Sequence, residues 1–289
     1  MDISRAVVTA AGLGERLYPL TKAQPREMLP LGRKPAVQFI VEELIAAGVT
    51  EICIVVSPGS RAIENHFSIG PNARCNGSFP NELLDDRAHL YFVEQPEPRG
   101  TGDAILRARG FVGEEAFVVA LGDAVITPSD APNPLIRRMI HTFAATGGDA
   151  VVAVRDVDRA AVSQYGVVTP VGDGLQTPHF MISDIIEKPA IDAAPSTIAV
   201  AGRYVFSSLV FNYLAESADE AGGDVHLTEA LQRMVHDRES TWAERVRPGE
   251  NRFDLGNFLE YSRAFIRFSM DDPEVGLSIR EYLRGLTHA

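Results

Sequence analysis

The amino-acid sequence predicts an α/β fold built on a doubly wound, mostly parallel, mixed sheet. Three observations lead to this prediction. Short β-branched runs alternate with helical stretches along much of the chain. The first of these runs are apolar almost throughout, which is typical of parallel strands covered on both faces. A glycine-bearing loop directly follows the first run, at the edge where such sheets bind ligands.

The predicted strands follow from these apolar runs. "AVVTA" opens the regular series and "IAVAGRYVF" closes it. In chain order, the regular strands are residues 6–10, 51–57, 90–95, 116–121, 149–157 and 198–206. Less regular strand-like runs occupy residues 165–169, 181–187 and 241–246.

Helical periodicity marks the stretches between the strands. In residues 35–49, five aliphatic side chains fall on one helical stripe, with Pro35 in the first turn and Gly48 at the end. That stripe consists of Val37, Ile40, Val41, Leu44 and Ile45. Further helices are predicted over residues 101–112, 133–148, 256–270 and 274–285.

Composition and charge exclude several classes of partner. The chain has 289 residues and a formal net charge of −12. An acidic protein is not expected to bind nucleic acid, because neutralising the phosphates of a polymer requires a basic face. No run of 18 apolar residues is present, so no membrane partner is expected, and residues 1–6 do not resemble a signal peptide. We therefore expect a cytoplasmic protein, with Cys53 as a small buried hydrophobic residue.

The loop after the first strand concentrates positive charge in an otherwise acidic chain. "AAGLGERLYPLTKAQPREMLPL" carries Arg16 and Arg26 together with Gly12 and Gly14. Leu17 stands where a dinucleotide fingerprint needs its third glycine, and the P-loop pattern is absent. Backbone N–H groups and spaced cations form a cradle suited to a triphosphate. The alternative from the residues alone is a tight turn with solvated charges.

A longer stretch around this loop carries a family resemblance. "AAGLGERLYPLTKAQPREMLPLGRKP" resembles the signature of the sugar-1-phosphate nucleotidylyltransferases, in particular the bacterial UTP–glucose-1-phosphate uridylyltransferases. "YGVVTP", "IIEKP" and "FDLGNFLEYSRAFI" resemble later segments of the same family, in the same order. The resemblance covers most of the chain.

The resemblance implies a Rossmann-like nucleotidyltransferase fold. It implies one domain over residues 1–289, with a nucleotide-binding half at about 1–130, a sugar-binding half at about 131–255 and C-terminal helices over 256–289. The implied reaction transfers a nucleoside monophosphate from a triphosphate, most simply UTP, to a sugar-1-phosphate, most simply glucose-1-phosphate. Pyrophosphate leaves and no covalent enzyme intermediate is needed, so positioning and charge neutralisation carry the catalysis.

The matching motifs also imply which residues bind the nucleotide. They are Ala10, Ala11, Gly12, Gly14, Glu27, Gln95 and Gly100. By resemblance, Gln95 hydrogen-bonds the pyrimidine edge through its amide, Gly100 lets the base lie close to the backbone, and Glu27 assists at the ribose or base. Taken without the resemblance, Gln95 is equally well explained as the cap of a strand end.

Three basic residues are expected to be catalytic. By resemblance, Arg16 contacts the β- and γ-phosphates, Arg26 lies beside the α-phosphate and the leaving group, and Lys188 contacts the sugar phosphate. Arg26 departs from the family pattern, which usually has lysine there, and the two cations differ in shape. On this basis alone, restoring lysine at position 26 is expected to leave turnover unchanged or to raise it.

Two aspartates are expected to hold Mg²⁺, the implied cofactor. Asp123 follows a predicted strand in "ALGDAVI", and Asp254 precedes the first C-terminal helix. By resemblance they hold the ion together, and it bridges the phosphates. From the residues alone, Asp123 is as well explained by a Gly-Asp turn and Asp254 by a helix N-cap. Relatives often have a second aspartate where this chain has Ala124.

Sugar-binding residues are expected in the second half. By resemblance, Gly166 lets the backbone contact the hexose, Glu187 binds a pair of sugar hydroxyls, and Lys188 binds the sugar phosphate. A surface ion pair between Glu187 and Lys188 is the alternative, since both residue types are usually exposed.

Two other functions remain open at this point. One keeps the chemistry but uses another triphosphate, or an unusual sugar or cyclitol phosphate. The other is a catalytically silent, sugar-nucleotide-binding regulatory homologue, which retention of Asp123 and Asp254 disfavours. A homo-oligomer, dimer or tetramer, is expected, because the C-terminal helices offer a surface for a second copy.

Overall fold

The computed structural model describes residues 2–68, 87–127, 134–172, 177–221 and 223–287. Its strands are β1 Arg5–Ala10, β2 Pro30–Leu31, β3 Lys34–Pro35, β4 Glu51–Val56, β5 His89–Glu94, β6 Phe117–Leu121, β7 Ala124–Ile126, β8 Ala150–Asp156, β9 Gly166–Pro170, β10 His179–Glu187, β11 Ile198–Phe206, β12 Thr241–Arg245 and β13 Arg252–Asp254. Its α-helices are α1 Ala36–Ala46, α2 Ala62–Phe67, α3 Gly100–Arg107, α4 Arg109–Val112, α5 Leu135–Thr146, α6 Val210–Ala221, α7 Leu227–His236, α8 Phe258–Met270 and α9 Gly276–Thr287.

A nine-stranded mixed sheet runs through the described part of the chain. Its strand order is β5-β4-β1-β6-β11-β8-β12-β10-β9. Neighbours β5, β4, β1 and β6 are parallel, and only β10 and β11 oppose the common direction. The predicted doubly wound, mostly parallel, mixed sheet is confirmed.

Two apolar cores, one on each face of the sheet, explain why the strands are apolar throughout. Ala6 and Val8 of β1 belong to one core, with side chains of α1, α5 and α8. Val7 belongs to the other core, with side chains of α3, α6 and α7. Successive strand side chains point to opposite faces, so a strand covered on both sides needs an apolar residue at every position. Cys53 of β4 is fully buried, as predicted.

The helices form close to where periodicity places them. Helix α1 begins after Pro35 and ends before Gly48, which has φ +97°. The single helix predicted over residues 101–112 is wrong in one respect, because Ala108 separates α3 from α4. Ala108 has ψ near 0°, which breaks the regular helix and lets its buried side chain and that of Val112 join the same core.

A small second sheet brings a distant segment to the edge of the large one. Strand β13 pairs antiparallel with β7, which directly follows β6. The carboxyl ends of β1 and β6 and the short β7–β13 pair therefore meet at one edge. None of the described helices has both the length and the apolar character that a membrane span requires.

Candidate active site

The loop after β1 makes a tight turn that presents Arg16. Gly14 has φ +64°, a left-handed conformation that favours glycine. The Thr21 hydroxyl donates to the Gly14 carbonyl oxygen at 2.7 Å and holds the turn. Arg16 is exposed, and no carboxylate of the described residues forms an ion pair with it. Its guanidinium is available to an anionic ligand.

Arg26 joins this loop to the end of β6. Its Nη2 lies 3.1 Å from Asp123 Oδ2, and its Nε donates to Glu27 Oε1 at 3.0 Å. A Cβ built on Gly12 would lie 2.8 Å from Nη2, so a glycine here allows the guanidinium to pack against the loop. Burial opposes the charge, but Asp123 and Glu27 together hold the pKa of Arg26 above its usual value. Arg26 therefore stays charged at the junction.

Glu27 directly follows Arg26 in the chain and contacts its guanidinium. Its side chain is completely buried, and burial raises the pKa of its carboxyl above the ordinary value despite the neighbouring Arg26. Its Cγ packs against Gly122, and its Oε2 has no hydrogen-bond partner among the described residues. In this structure the Glu27 side chain contacts Arg26 and lies beneath the loop, and its expected contact with the ribose or base stays a prediction.

Asp123 and Asp254, far apart in sequence, meet through backbone pairing. Asp123 lies between β6 and β7, and Asp254 of β13 is in register with Ala124 of β7. The Leu255 amide donates to the Asp123 carbonyl oxygen at 2.8 Å. The helix-cap explanation for Asp254 is wrong, because Asn257 accepts the capping bond of α8 from the Glu260 amide.

The structure adds an aromatic-cationic group beside Asp254. Arg252 Nη1 lies 2.9 Å from Asp254 Oδ2, and the Gly256 amide donates to Oδ1 at 2.7 Å. The guanidinium carbons of Arg252 and Arg155 lie 5.2 and 5.1 Å from the ring centre of Tyr165. Arg252 and the Gly256 amide hold the Asp254 carboxylate, and Tyr165 packs against Arg252. Sequence reasoning missed them, although Arg252 lies only two residues before Asp254.

The donor set fits a hard cation that shares its coordination with substrate. Asp123 and Asp254 offer carboxylate oxygens, the ligands that Mg²⁺ takes, usually one or two at a time alongside phosphates and water. No cluster of three or more His, Cys, Asp or Glu in the described ranges could hold a metal by itself. The pair is therefore suited to a cation that binds with the phosphates. Ala124 is fully buried and packs against Gly202, so it does not face this site.

The expected sugar-binding residues also come together. Antiparallel pairing of β9 and β10 places Glu187 opposite Gly166. Thr228 of α7, which sequence reasoning missed, donates its hydroxyl to Glu187 Oε2 at 2.7 Å. Lys188 Nζ lies 3.1 Å from Glu187 Oε1, so the ion-pair alternative is present as well. Thr228 engages one carboxylate oxygen and orients the group.

Lys188 has a strained backbone. Its φ of +43° is in the left-handed region, which is uncommon for a residue other than glycine and is often found at functional sites. The Lys188 amide donates to the Tyr165 carbonyl oxygen at 3.0 Å. This bond ties Lys188 to Tyr165, the residue that contacts Arg252.

Gln95 lies just beyond β5 and is held by its amide nitrogen. Nε2 donates to the Gly100 carbonyl oxygen at 3.0 Å and to Asp103 Oδ2 at 2.8 Å. Gly100 packs against the backbone of Val225, where an added Cβ would lie 2.6 Å from the carbonyl oxygen. The glycine is thus explained by packing of α3 against the segment before α7, whether or not a base lies nearby.

Strand β11 lies between the group around Asp123 and the group around Glu187 and pairs with a strand of each. It pairs with β6, which leads to Asp123, and with β9, which begins at Gly166. Tyr204 of β11 is buried between them: burial raises its pKa, and the negative charges of Glu187 and Asp123 raise it further.

Comparison with known proteins agrees with this architecture. The model of the nucleotidyl transferase family matches residues 5–269. The UTP--glucose-1-phosphate uridylyltransferase of Bacillus subtilis is 34% identical over 292 residues, covering 98% of this chain and 97% of the relative.

Solved structures extend the likeness to three dimensions. UDP-glucose pyrophosphorylase from Acinetobacter baumannii superposes with a TM-score of 0.86 at 30% identity, covering 99% of this chain and all of the other. A UDP-glucose pyrophosphorylase complexed with UDP-glucose gives a TM-score of 0.83 at 29% identity, covering 94% and 100%. A family match over nearly the whole sequence, together with this shared architecture, means that the chain belongs to the nucleotidyl transferase family.

Proposed function

We propose that this protein transfers uridine monophosphate from UTP to glucose-1-phosphate, producing UDP-glucose and pyrophosphate. The observation that carries the proposal is the contact between Arg26 of the glycine loop and Asp123, with Asp254 paired alongside. This arrangement supports a site in which cations for the phosphates and two carboxylates for a metal ion lie at one edge of the sheet. The named activity of the relatives, over nearly their full length, supports the choice of UTP and glucose-1-phosphate.

The chemistry is a displacement at the α-phosphorus of the triphosphate. A phosphate oxygen of the sugar-1-phosphate forms a bond to that phosphorus, and the bond to the oxygen bridging the α- and β-phosphates breaks. Pyrophosphate leaves with the bonding electron pair. Both reactants are anionic, so the protein must offset their repulsion and hold them in line. When bound by Asp123 and Asp254, Mg²⁺ supplies charge neutralisation at the phosphates.

The residues of the chain divide this work by position. Arg16, free of protein partners in the described residues, binds the β- and γ-phosphates. Arg26, anchored beside Asp123, stabilises charge at the α-phosphate and on the leaving oxygen. Lys188, whose backbone is held in the left-handed region, binds the sugar phosphate. Glu187, oriented by Thr228, accepts hydrogen bonds from the sugar hydroxyls.

The remaining nucleotide contacts come from backbone and amide groups. Ala10 ends β1, and Ala11, Gly12 and Gly14 continue into the turn, so their backbone groups line the same edge as Asp123. Gln95 meets the base. In the sugar-binding part, Gly166 brings the backbone close to the hexose beside Glu187.

The proposed division of the chain follows the sheet. Residues 1–130 contain β5, β4, β1 and β6 and bind the nucleotide, and residues 131–255 contain the rest of the sheet and bind the sugar. Residues 256–289 contribute α8 and α9. Both halves are needed for the metal pair, because Asp123 belongs to the first and Asp254 to the second.

The C-terminal helices are proposed to contact a second copy of the chain. Eight of the fifteen exposed large hydrophobic side chains of the described residues lie from Phe258 onward, among them Leu277 and Tyr282. Such a concentration is typical of an interaction surface. Size-exclusion chromatography with light scattering should give at least twice the 31.4 kDa of one chain. Leu277→Glu should shift the mass toward that of one chain. A parent protein with the mass of a single chain would contradict the proposal.

A substrate panel tests the function. Purified protein with Mg²⁺ is given each of UTP, dTTP, CTP, ATP and GTP with glucose-1-phosphate, galactose-1-phosphate or a cyclitol phosphate, and pyrophosphate release is measured. We expect UTP with glucose-1-phosphate to give the highest kcat/KM. Preference for another pair would support the alternative substrates. Thermal stabilisation by UDP-glucose with no turnover of any pair would instead indicate a silent binding protein.

A further inference from the structure

We propose that Asp103 is a positioning residue that determines base preference by fixing the orientation of the Gln95 amide. The inference rests on the proposed function, in which Gln95 meets the base of the triphosphate. Its consequence is a preference for bases that carry a hydrogen on N3, such as uracil, over cytosine, whose N3 is an acceptor.

The contacts around Gln95 leave one choice of amide orientation. Nε2 donates to the Gly100 carbonyl oxygen at 3.0 Å and to Asp103 Oδ2 at 2.8 Å. Both partners are acceptors, since one is a backbone carbonyl and the other a carboxylate that forms an ion pair with Arg107. With Oε1 turned toward them, two pairs of acceptors would face each other. The amide nitrogen therefore lies on the protein side, and Oε1 is the atom left for a ligand.

Asp103 is itself firmly held. Its side chain is only 3% exposed, and Arg107, one helical turn later in α3, donates from Nη2 to Oδ1 at 2.8 Å. Arg107 cannot accept a hydrogen bond, and it holds the carboxylate mainly through Oδ1, with a longer contact of 3.4 Å from Nε to Oδ2. Gln95 is also almost completely buried, at 4% exposure. Arg107 therefore fixes Asp103 as an acceptor, and Asp103 in turn fixes the Gln95 amide with its nitrogen toward the carboxylate.

The orientation of the Gln95 amide determines which hydrogen-bonding group of the base it can pair with. An outward-facing carbonyl oxygen accepts a hydrogen bond from the N3–H of uracil. The same oxygen would face the N3 lone pair of cytosine, leaving two acceptors in contact in a buried site. A group that demands a hydrogen from the ligand discriminates strongly, because the wrong ligand leaves buried polar atoms unpaired.

Replacing the Asp103 carboxylate by an amide changes the group that faces Gln95 from an acceptor to a donor. In Asp103→Asn, Arg107 still needs an acceptor and takes the asparagine oxygen, so the asparagine NH₂ turns toward Gln95. Two NH₂ groups then oppose each other, which favours the flipped Gln95 amide with its own NH₂ outward. The Gly100 carbonyl oxygen resists that flip, so the expected result is a loss of preference and not a complete inversion.

The experiment compares kcat/KM for UTP and CTP, each with glucose-1-phosphate, in the parent protein and in variants. In Asp103→Asn we expect the UTP:CTP ratio to fall at least tenfold, with the KM for glucose-1-phosphate unchanged. The double variant Gln95→Ala/Asp103→Asn should have the ratio of Gln95→Ala alone, because Asp103 acts through Gln95. Asp156→Asn, at an exposed aspartate of β8, serves as the matched control.

Arg107→Gln provides a second route should Asp103→Asn fail to fold. Arg107 is 40% exposed, so its replacement is tolerated more easily, and a weaker hold on Asp103 should lower the ratio about threefold. An unchanged ratio in the folded variants would overturn the inference while leaving the proposed function intact. A parent protein without turnover of any pair would instead overturn the proposed function.

Discussion

The guanidinium of Arg26 bridges two carboxylates of different character, Glu27 on its buried side and Asp123 at the sheet edge. The Nε–Oε1 distance to Glu27 is 3.0 Å and the Nη2–Oδ2 distance to Asp123 is 3.1 Å. A planar fork reaches two partners at once, whereas the single nitrogen of lysine is a point charge. The arginine at position 26 is therefore fitted to its surroundings here.

Arg26→Lys tests this relationship. Although sequence reasoning favours equal or higher turnover for lysine, the structure predicts a turnover loss of about tenfold and a stability loss of about 2 kcal/mol, because buried Glu27 loses a partner. Steady-state kinetics and urea unfolding measure the two effects. Adding Glu27→Gln removes the buried carboxylate and should restore most of the stability. Turnover of Arg26→Lys at or above the parent level would contradict the prediction.

Asp123→Asn and Asp254→Asn test the carboxylate pair. Each should lower turnover at least about a hundredfold, because a neutral amide binds a divalent cation poorly and leaves the phosphate charge uncompensated. Circular dichroism should show an intact fold, since asparagine conserves the size of the side chain. Excess chelator should abolish turnover of the parent, and added Mg²⁺ should restore it. Full activity in either variant would remove that aspartate from the site.

Thr228→Val tests the sugar-binding group. The threonine hydroxyl donates to Glu187 Oε2 at 2.7 Å, and valine keeps the shape without the donor. We expect the KM for glucose-1-phosphate to rise about fivefold to tenfold, the net cost of one ordinary hydrogen bond, with the KM for UTP unchanged. Thr146→Val, whose hydroxyl bonds within α5, is the matched control. Equal changes in both KM values would mean that Thr228 does not act on the sugar side.

Glu250→Gln tests a buried ion pair and its pH dependence. Glu250 accepts from Arg138 Nη1 at 2.8 Å and Nη2 at 2.9 Å. Burial works against the charge, but Arg138 and the Arg247 amide bring the pKa of Glu250 below its ordinary 4.5. A lowered folded-state pKa contributes stability that is complete above 4.5 and is lost as the pH falls through the folded-state value.

The variant lacks this titration, so the difference from the parent should depend on pH. We expect Glu250→Gln to lower the free energy of unfolding by about 2 kcal/mol at pH 7 and by progressively less below pH 4.5. Urea unfolding at pH 7, 5 and 3.5 measures the difference. A difference that stays constant over this range would show that the charge of Glu250 has no part in it.

Local patterns carried the prediction of the elements and of single site residues. Apolar runs and helical stripes depend on neighbours within a few positions, which is why β1, β4, β6 and α1 lie where expected. The split of α3 from α4 at Ala108 was missed, because packing of a buried side chain into the core overrode the periodicity.

Local sequence patterns could not predict which residues contact the site residues. Nothing local indicates that Glu27 is buried under Arg26, that Thr228 orients Glu187, or that Asp103 holds the Gln95 amide. The first pair is adjacent in sequence, yet its burial depends on how the loop packs against Gly122. These contacts could be stated only with the sheet assembled.

By itself, the sequence determined the fold class, the family and the chemical types at the site, because these depend on composition, spacing and short ordered motifs. Only the tertiary structure decided which of those groups touch. Asp254 reaches Asp123 because β13 pairs with β7, and the two carboxylate-bearing halves meet at β11 because of the strand order. Strand pairing joins segments far apart along the chain, and its register is set by the packed sheet as a whole.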